Sequence, residues 1–155
     1  MSGFRPDYKR AEVAASPNFG ERRDGRAADM LILHYTGMPT AQGALDWLRH
    51  AESEVSSHYF VFEDGRVIQL VSEAARAWHA GKSFWRGETD INSASIGVEI
   101  ANPGHPGGLP DFPPAQIASV IDLCADIVNR HAIAPERVLA HSDVAPIRKI
   151  DPGER

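Results

Sequence analysis

Apolar residues fall in short runs along this chain, and turn or cap signals separate them. Met30 to Leu33 is an unbroken apolar stretch closed by His34 and then Gly37, which predicts a buried central strand over 28–34. Ala44, Leu45, Leu48 and Ala51 recur at helical spacing behind Thr40, whose hydroxyl can cap the first turn, so a short helix is expected to about Ala51. Tyr59, Val61, Val67, Ile68 and Leu70 flank Asp64-Gly65, a dipeptide suited to the positive φ of a tight turn, and predict a strand pair over 58–72. Ser95 to Ala101 reads as a further strand. Ile117, Val120, Ile121, Cys124, Ile127 and Val128 share one face at a period of 3.6 behind Pro113-Pro114, predicting a helix to about Arg130. Arg137 to His141 is a last short strand. The stretches 73–92 and 102–113, rich in Gly, Trp, Arg or Pro, read as loops, the first opening with a helical turn at 72–75. Residues 1–27 read as an extended N-terminal arm with little regular structure, and 28–155 as the body of one domain. Strands interleaved with helices around a hairpin imply an α/β fold, a mixed central sheet flanked by helices.

Charge and composition narrow the function classes. The 155 residues carry a formal net charge of −5, and their basic residues form no run, which argues against a nucleic-acid partner. No apolar stretch approaches transmembrane length, and Met1 to Arg10 lacks the apolar core of a signal peptide, so a cytoplasmic protein is expected, with a periplasmic or cell-wall-associated one as the alternative. The single cysteine, Cys124, excludes an internal disulfide and reads as a small buried hydrophobe. Nothing in the sequence speaks to the oligomeric state.

The richest chemistry lies in His141-Ser142-Asp143 through Lys149, Asp151, Pro152 and Gly153. Pro146 and Pro152 prevent this stretch from being one helix, so His141 and Asp151 can converge on one point. Imidazole and carboxylate suit Zn²⁺, and a catalytic zinc takes three protein ligands and keeps a position open. His34, at the end of the first strand, is the natural third ligand; a lone histidine there can also be a core residue bonded to backbone. Glu99 interrupts the apolar strand Ile96-Gly97-Val98-Glu99-Ile100 and shares a face with Gly97 and Ala101. It reads either as the general base of an amide hydrolysis or as a solvent-facing strand residue. Lys149, two residues before Asp151, reads either as the cation for a tetrahedral oxyanion or as a surface lysine. Trp78, His79, Trp85 and Arg86, together with Tyr35, are the expected walls of a substrate groove, with tryptophan faces for sugar rings and arginine for a carboxylate; the alternative is one tryptophan in the core and the other covering the loop, and Trp78 is expected partly buried with His79 facing the cleft. His58 is expected to be a structural hydrogen-bonder. His50 and His131 stand at helix ends and His105 in a loop, and none of these four is expected to bind metal.

Five segments occur together in order: Ile32-Leu33-His34-Tyr35-Thr36, Ser57-His58-Tyr59-Phe60-Val61, Ala77-Trp78-His79-Ala80-Gly81, Ser95-Ile96-Gly97-Val98-Glu99-Ile100, and His141-Ser142-Asp143 with Lys149 and Asp151-Pro152-Gly153. In this the chain resembles the zinc-dependent N-acetylmuramoyl-L-alanine amidases of the type 2 family, related to peptidoglycan recognition proteins and phage T7-type lysozyme. The resemblance spans about residues 17–153. It implies cleavage of the amide between the lactyl group of N-acetylmuramic acid and L-alanine, in peptidoglycan or muropeptides. It further implies His34, His141 and Asp151 as zinc ligands, Glu99 as acid/base and Lys149 as transition-state cation. Recognition proteins that have lost catalysis typically replace a ligand; all three are present here, which favours an enzyme over a non-catalytic peptidoglycan-binding module. A purely structural zinc would want a closed set of four ligands, often cysteines, and the chain has one cysteine. Ile147 stands where the family often has glycine. The chain stops at Arg155, four residues after Asp151, where family members usually continue, so the C-terminal end reads as truncated.

Overall fold

The computed structural model describes residues 3–155. In chain order its elements are β1 (Glu12–Val13), β2 (Phe19–Gly20), β3 (Met30–Tyr35), α1 (Ala41–Leu48), β4 (Tyr59–Val61), β5 (Val67–Gln69), β6 (Arg76–Ala77), α2 (Ile91–Ala94), β7 (Ser95–Ile100), α3 (Pro114–His131), β8 (Val138–Ala140) and α4 (His141–Val144). Six strands form the central sheet in the order β1-β5-β4-β7-β3-β8, and β2 pairs with β6 in a small second sheet. Within the main sheet only β4 and β5 run antiparallel, the hairpin turning at Asp64-Gly65 as expected; every other pairing is parallel. The mixed sheet flanked by helices is therefore present.

Parallel strands at the centre of a sheet are covered on both faces and so read as near-continuous apolar runs. That is why β3 and β7 are legible in the sequence: Met30, Leu31, Ile32, Ile96 and Val98 are all fully buried. Alternation assigns the faces. Leu31, Tyr59, Val61, Ile96 and Val98 pack with α3 residues Val120, Leu123 and Ile127. Phe60 and Ile68 pack on the opposite side with Ala44, Leu45 and Leu48 of α1. Thr40 caps α1 as its hydroxyl predicts, accepting from the Gly43 amide, although the helix ends at Leu48 and Ala51–Ser53 forms a separate 3₁₀ turn.

Three expectations are corrected. The arm has more structure than its Pro, Gly and charged residues imply: β1 forms one edge of the main sheet and β2 holds the 73–92 loop through β6. The arm is anchored further by Arg22, whose buried guanidinium donates to the carbonyls of Glu73, Asn92, Ser93 and Ser95. The buried face of α3 is turned away from the apolar stripe. Gln116, Val120, Leu123 and Ile127 point inward, while Ile117 and Ile121 are exposed. Gln116 is drawn in because its amide donates to the carbonyls of Val61 and Ala101. Finally, the loop after 89 contains the short helix α2, capped by Asp90 accepting from the Ser93 amide. Cys124 packs against the core, where burial pushes its thiol up to about 12. Among the described residues no helix is long and apolar enough to cross a membrane.

Candidate active site

The register of β3 and β7 sets His34 beside Glu99. Both lie on the α1 side of the sheet, because Leu33 and Val98 pack towards α3. β8 lies on the other side of β3 and delivers His141 at the first position of α4. The chain then loops back, and the Ser142 amide donates to the Asp151 carbonyl at 3.0 Å, which returns Asp151 to the same point. Ligands gathered at the carboxyl ends of parallel strands are the usual arrangement of open α/β sheets.

His34 Nδ1 lies 3.0 Å from His141 Nδ1 and 3.2 Å from Asp151 Oδ2, and His141 Nδ1 lies 3.3 Å from the same oxygen. All three residues are buried. His141 donates its Nε2–H to the Ala80 carbonyl at 2.9 Å, so its Nδ1 carries a bare lone pair. Electron-rich atoms packed this closely repel unless a cation lies among them. Two ligands held at zinc distances on a tetrahedral centre stand about 3.3 Å apart, so the donor set and its spacing fit zinc. Among the described residues this is the one group of three such side chains that converges. Burial lowers the pKa of His34 to about 4 against the pull of Asp151, which keeps the ring in the neutral form a metal needs. Burial acts to raise Asp151, but its contacts with His141 and His34 outweigh it and hold the carboxyl below the ordinary range.

Glu99 is half-buried, and its Oε2 is buried without a hydrogen-bond partner among the described residues. Burial first, then the negative charge of Asp151, raises its pKa well above the usual carboxylate value, with Lys149 opposing. Lys149 is half-buried and lines the same cleft, brought there by the turn that ends α4, where the Arg148 and Lys149 amides both donate to the Ala145 carbonyl. Ile147 beside it is fully exposed.

The cleft measures about 490 Å³, with His34, Glu99, His141, Lys149 and Asp151 on its wall. Tyr35 and Trp78 line it. His79 reaches it, but it is a buried support rather than an open wall: its ring nitrogens are taken by His34 and Ser95. Trp85 and Arg86 are not part of the lining. A tight turn with positive φ at Arg86 and Gly87 folds this segment back, so that Trp85 packs on the Met30, Ile32 and Ala80 cluster and the Arg86 guanidinium lies 5.4 Å from the Trp85 ring. Sequence reasoning missed Trp47 and Val55, which line the cleft while remaining partly exposed. The sequence carries no signal for Trp47, which stands off the apolar face of α1 as any solvent-facing residue would. His58 is structural, as expected: Nδ1 accepts from the Gly97 amide and Nε2 donates to the Ala75 carbonyl.

The family described as N-acetylmuramoyl-L-alanine amidase matches residues 24–154. The chain is 39% identical over 163 residues to N-acetylmuramoyl-L-alanine amidase AmiD of Escherichia coli strain K12, an alignment that takes in 97% of this chain and 55% of AmiD. It is 31% identical over 157 residues to 1,6-anhydro-N-acetylmuramyl-L-alanine amidase AmpD of Haemophilus influenzae, covering 90% of this chain and 83% of AmpD. Among solved structures, the complex of E. coli AmiD with the substrate anhydro-N-acetylmuramic acid-L-Ala-D-gamma-Glu-L-Lys superposes with a TM-score of 0.73 at 40% identity, over 97% of this chain and 59% of AmiD. The chain thus spans about half the length of AmiD and most of that of AmpD. It belongs to the type 2 N-acetylmuramoyl-L-alanine amidase family.

Proposed function

We propose that this chain hydrolyses the amide bond between N-acetylmuramic acid and L-alanine in peptidoglycan or muropeptides, with zinc held by His34, His141 and Asp151. The observation that carries this reading is the pairing of the three converging side chains with Glu99 on the neighbouring strand, whose Oε2 is buried without a partner among the described residues. Relatives named as amidases of this bond, one solved with an anhydromuramyl peptide, support the substrate class.

When bound, zinc supplies Lewis-acid polarisation of the scissile carbonyl and acidifies water. Glu99 takes the proton from the attacking water at its carboxylate and passes it to the leaving nitrogen. Burial and the charge of Asp151 raise its pKa, which favours holding the proton between the two transfers. Lys149 places an ammonium where the carbonyl oxygen gains negative charge. Trp47 and Trp78, both on the cleft wall, offer flat apolar faces to the sugar.

The test is incubation with a muramyl peptide, with and without a chelator, followed by assay for free peptide. Release that chelation abolishes and zinc restores is the expected result. Tight binding without release under every metal condition would instead make the chain a peptidoglycan-binding module.

A further inference from the structure

The segment Trp78-His79-Ala80-Gly81 runs beside the metal ligands, and its histidine has no part in the chemistry assigned above. His79 is buried with its ring over Gly97, where a Cβ would come within 2.5 Å of it. Each ring nitrogen has one polar side-chain partner: Nδ1 lies 2.9 Å from His34 Nε2, and Nε2 lies 3.1 Å from Ser95 Oγ. Ser95 Oγ in turn lies 2.6 Å from the carbonyl oxygen of Ile91.

That last contact fixes the direction of all the others. A carbonyl only accepts, so the single hydroxyl proton of Ser95 goes to Ile91. Ser95 Oγ must then accept from the Nε2–H of His79. A neutral imidazole has one proton, which leaves His79 Nδ1 bare to accept from the Nε2–H of His34. His34 therefore turns a bare Nδ1 towards His141 and Asp151. His141 is set in the same tautomer by the carbonyl of Ala80, the residue after His79. One buried side chain holds both residues in place: Asn92 Oδ1 accepts from the amides of His79 at 3.0 Å and Ala80 at 2.8 Å.

Resting on the zinc reading above, we propose that His79, Ser95 and Asn92 form a positioning clamp that presets His34 and His141 with Nδ1 free for the metal, and that this clamp sets metal affinity. His79 is a positioning residue that acts through His34. Partners of this kind orient ligating imidazoles, and their loss weakens metal binding by about 10–100-fold.

Nitrogen-15 NMR of the metal-free wild-type chain at neutral pH reads the tautomers directly. A proton on Nε2 is expected for His34, His79 and His141, and a His34 without its Nε2–H or a His79 protonated on Nδ1 overturns the clamp. Zinc affinity, measured by competition with a chromophoric chelator, gives the second arm. His79→Phe keeps a ring over Gly97 but removes the acceptor, and zinc affinity is expected to fall about 10–100-fold with circular dichroism unchanged. His79→Asn, whose amide oxygen stands near the place of Nδ1, is expected to recover part of that loss. Wild-type affinity in folded His79→Phe overturns the proposal while leaving the metal reading intact. A wild-type chain that takes up no zinc overturns the metal reading and the clamp with it. If His79→Phe does not fold, the wild-type tautomers decide.

Discussion

At the scale of single residues, the site is built from side chains that break the pattern around them. Glu99 is a carboxylate inside an apolar strand, and His34 closes an apolar run, so both stand out from the amino-acid sequence alone. Lys149 and Asp151 are visible because prolines bend the segment that carries them. Trp47 is not visible, because an aromatic residue on the open side of a helix looks the same whether it faces water or a cleft. Trp85 and Arg86 mislead for a related reason: composition marks a groove wall, but the direction of a two-residue turn depends on backbone angles. Glu99 Oε2 has no hydrogen-bond partner among the described residues, and its assigned work is proton transfer alone. Glu99→Gln should therefore keep zinc at wild-type stoichiometry while kcat falls about 10²–10⁴-fold. Metal analysis alongside turnover checks this, and loss of zinc from the variant would make Glu99 a ligand or a fold element.

Among elements, the strands and the hairpin follow from the sequence, and the orientation of α3 does not. Its boundaries are legible from Pro114 and the helical period, but the apolar stripe is wider than the face the sheet can cover. The sheet selects Leu123 over Ile121, and it accepts the polar Gln116 because its amide donates to two strand-end carbonyls, those of Val61 and Ala101. Pattern reading treats glutamine as solvent-facing and so rotates the helix. The two faces separate in a stability measurement. Leu123→Ala should cost about 2–5 kcal/mol as a cavity in the core. Ile121→Ala should stay within about 0.5 kcal/mol as a surface change. Urea unfolding monitored by circular dichroism reads both, and equal losses would return the buried face to the stripe. The arm resists pattern reading for the same kind of reason: β1 and β2 are two residues each, too short for alternation to register, and they exist only because β5 and β6 await partners.

For the whole molecule, a buried polar cluster joins regions that the apolar clusters leave separate. The Glu73 carboxylate accepts from both terminal nitrogens of Arg130, from His131 and from the Tyr59 hydroxyl, tying the loop after β5 to the end of α3. Burial works to raise its pKa, but these donors outweigh burial and bring it down to about 2. A lowered carboxylate stabilises the fold above its unfolded value of about 4.3, and that contribution is lost as the pH falls towards 2. His58, buried and lowered to about 3, acts at higher pH: below about 6.5 the unfolded chain takes a proton that the folded chain refuses. The melting temperature should therefore decline below pH ~6.5 and fall more steeply between pH ~4.3 and 2. Glu73→Gln should lower stability at neutral pH by about 1–3 kcal/mol and flatten the acid limb. An unchanged acid limb in that variant, followed by calorimetry, would remove Glu73 from the account. None of this network is readable from spacing, since its members are brought together only by the completed fold.

The short strands at the two ends of the sheet have a consequence of their own. β1 covers β5 with two residues, and β8 is three residues long, its last amide already satisfied by the Asp143 carboxylate. An open border of hydrogen-bonding groups invites a neighbouring polypeptide to add itself, and long flat borders are where such growth begins. Among the described residues neither border of the main sheet runs beyond three residues, so an incoming strand finds little length there on which to dock when many copies are crowded together.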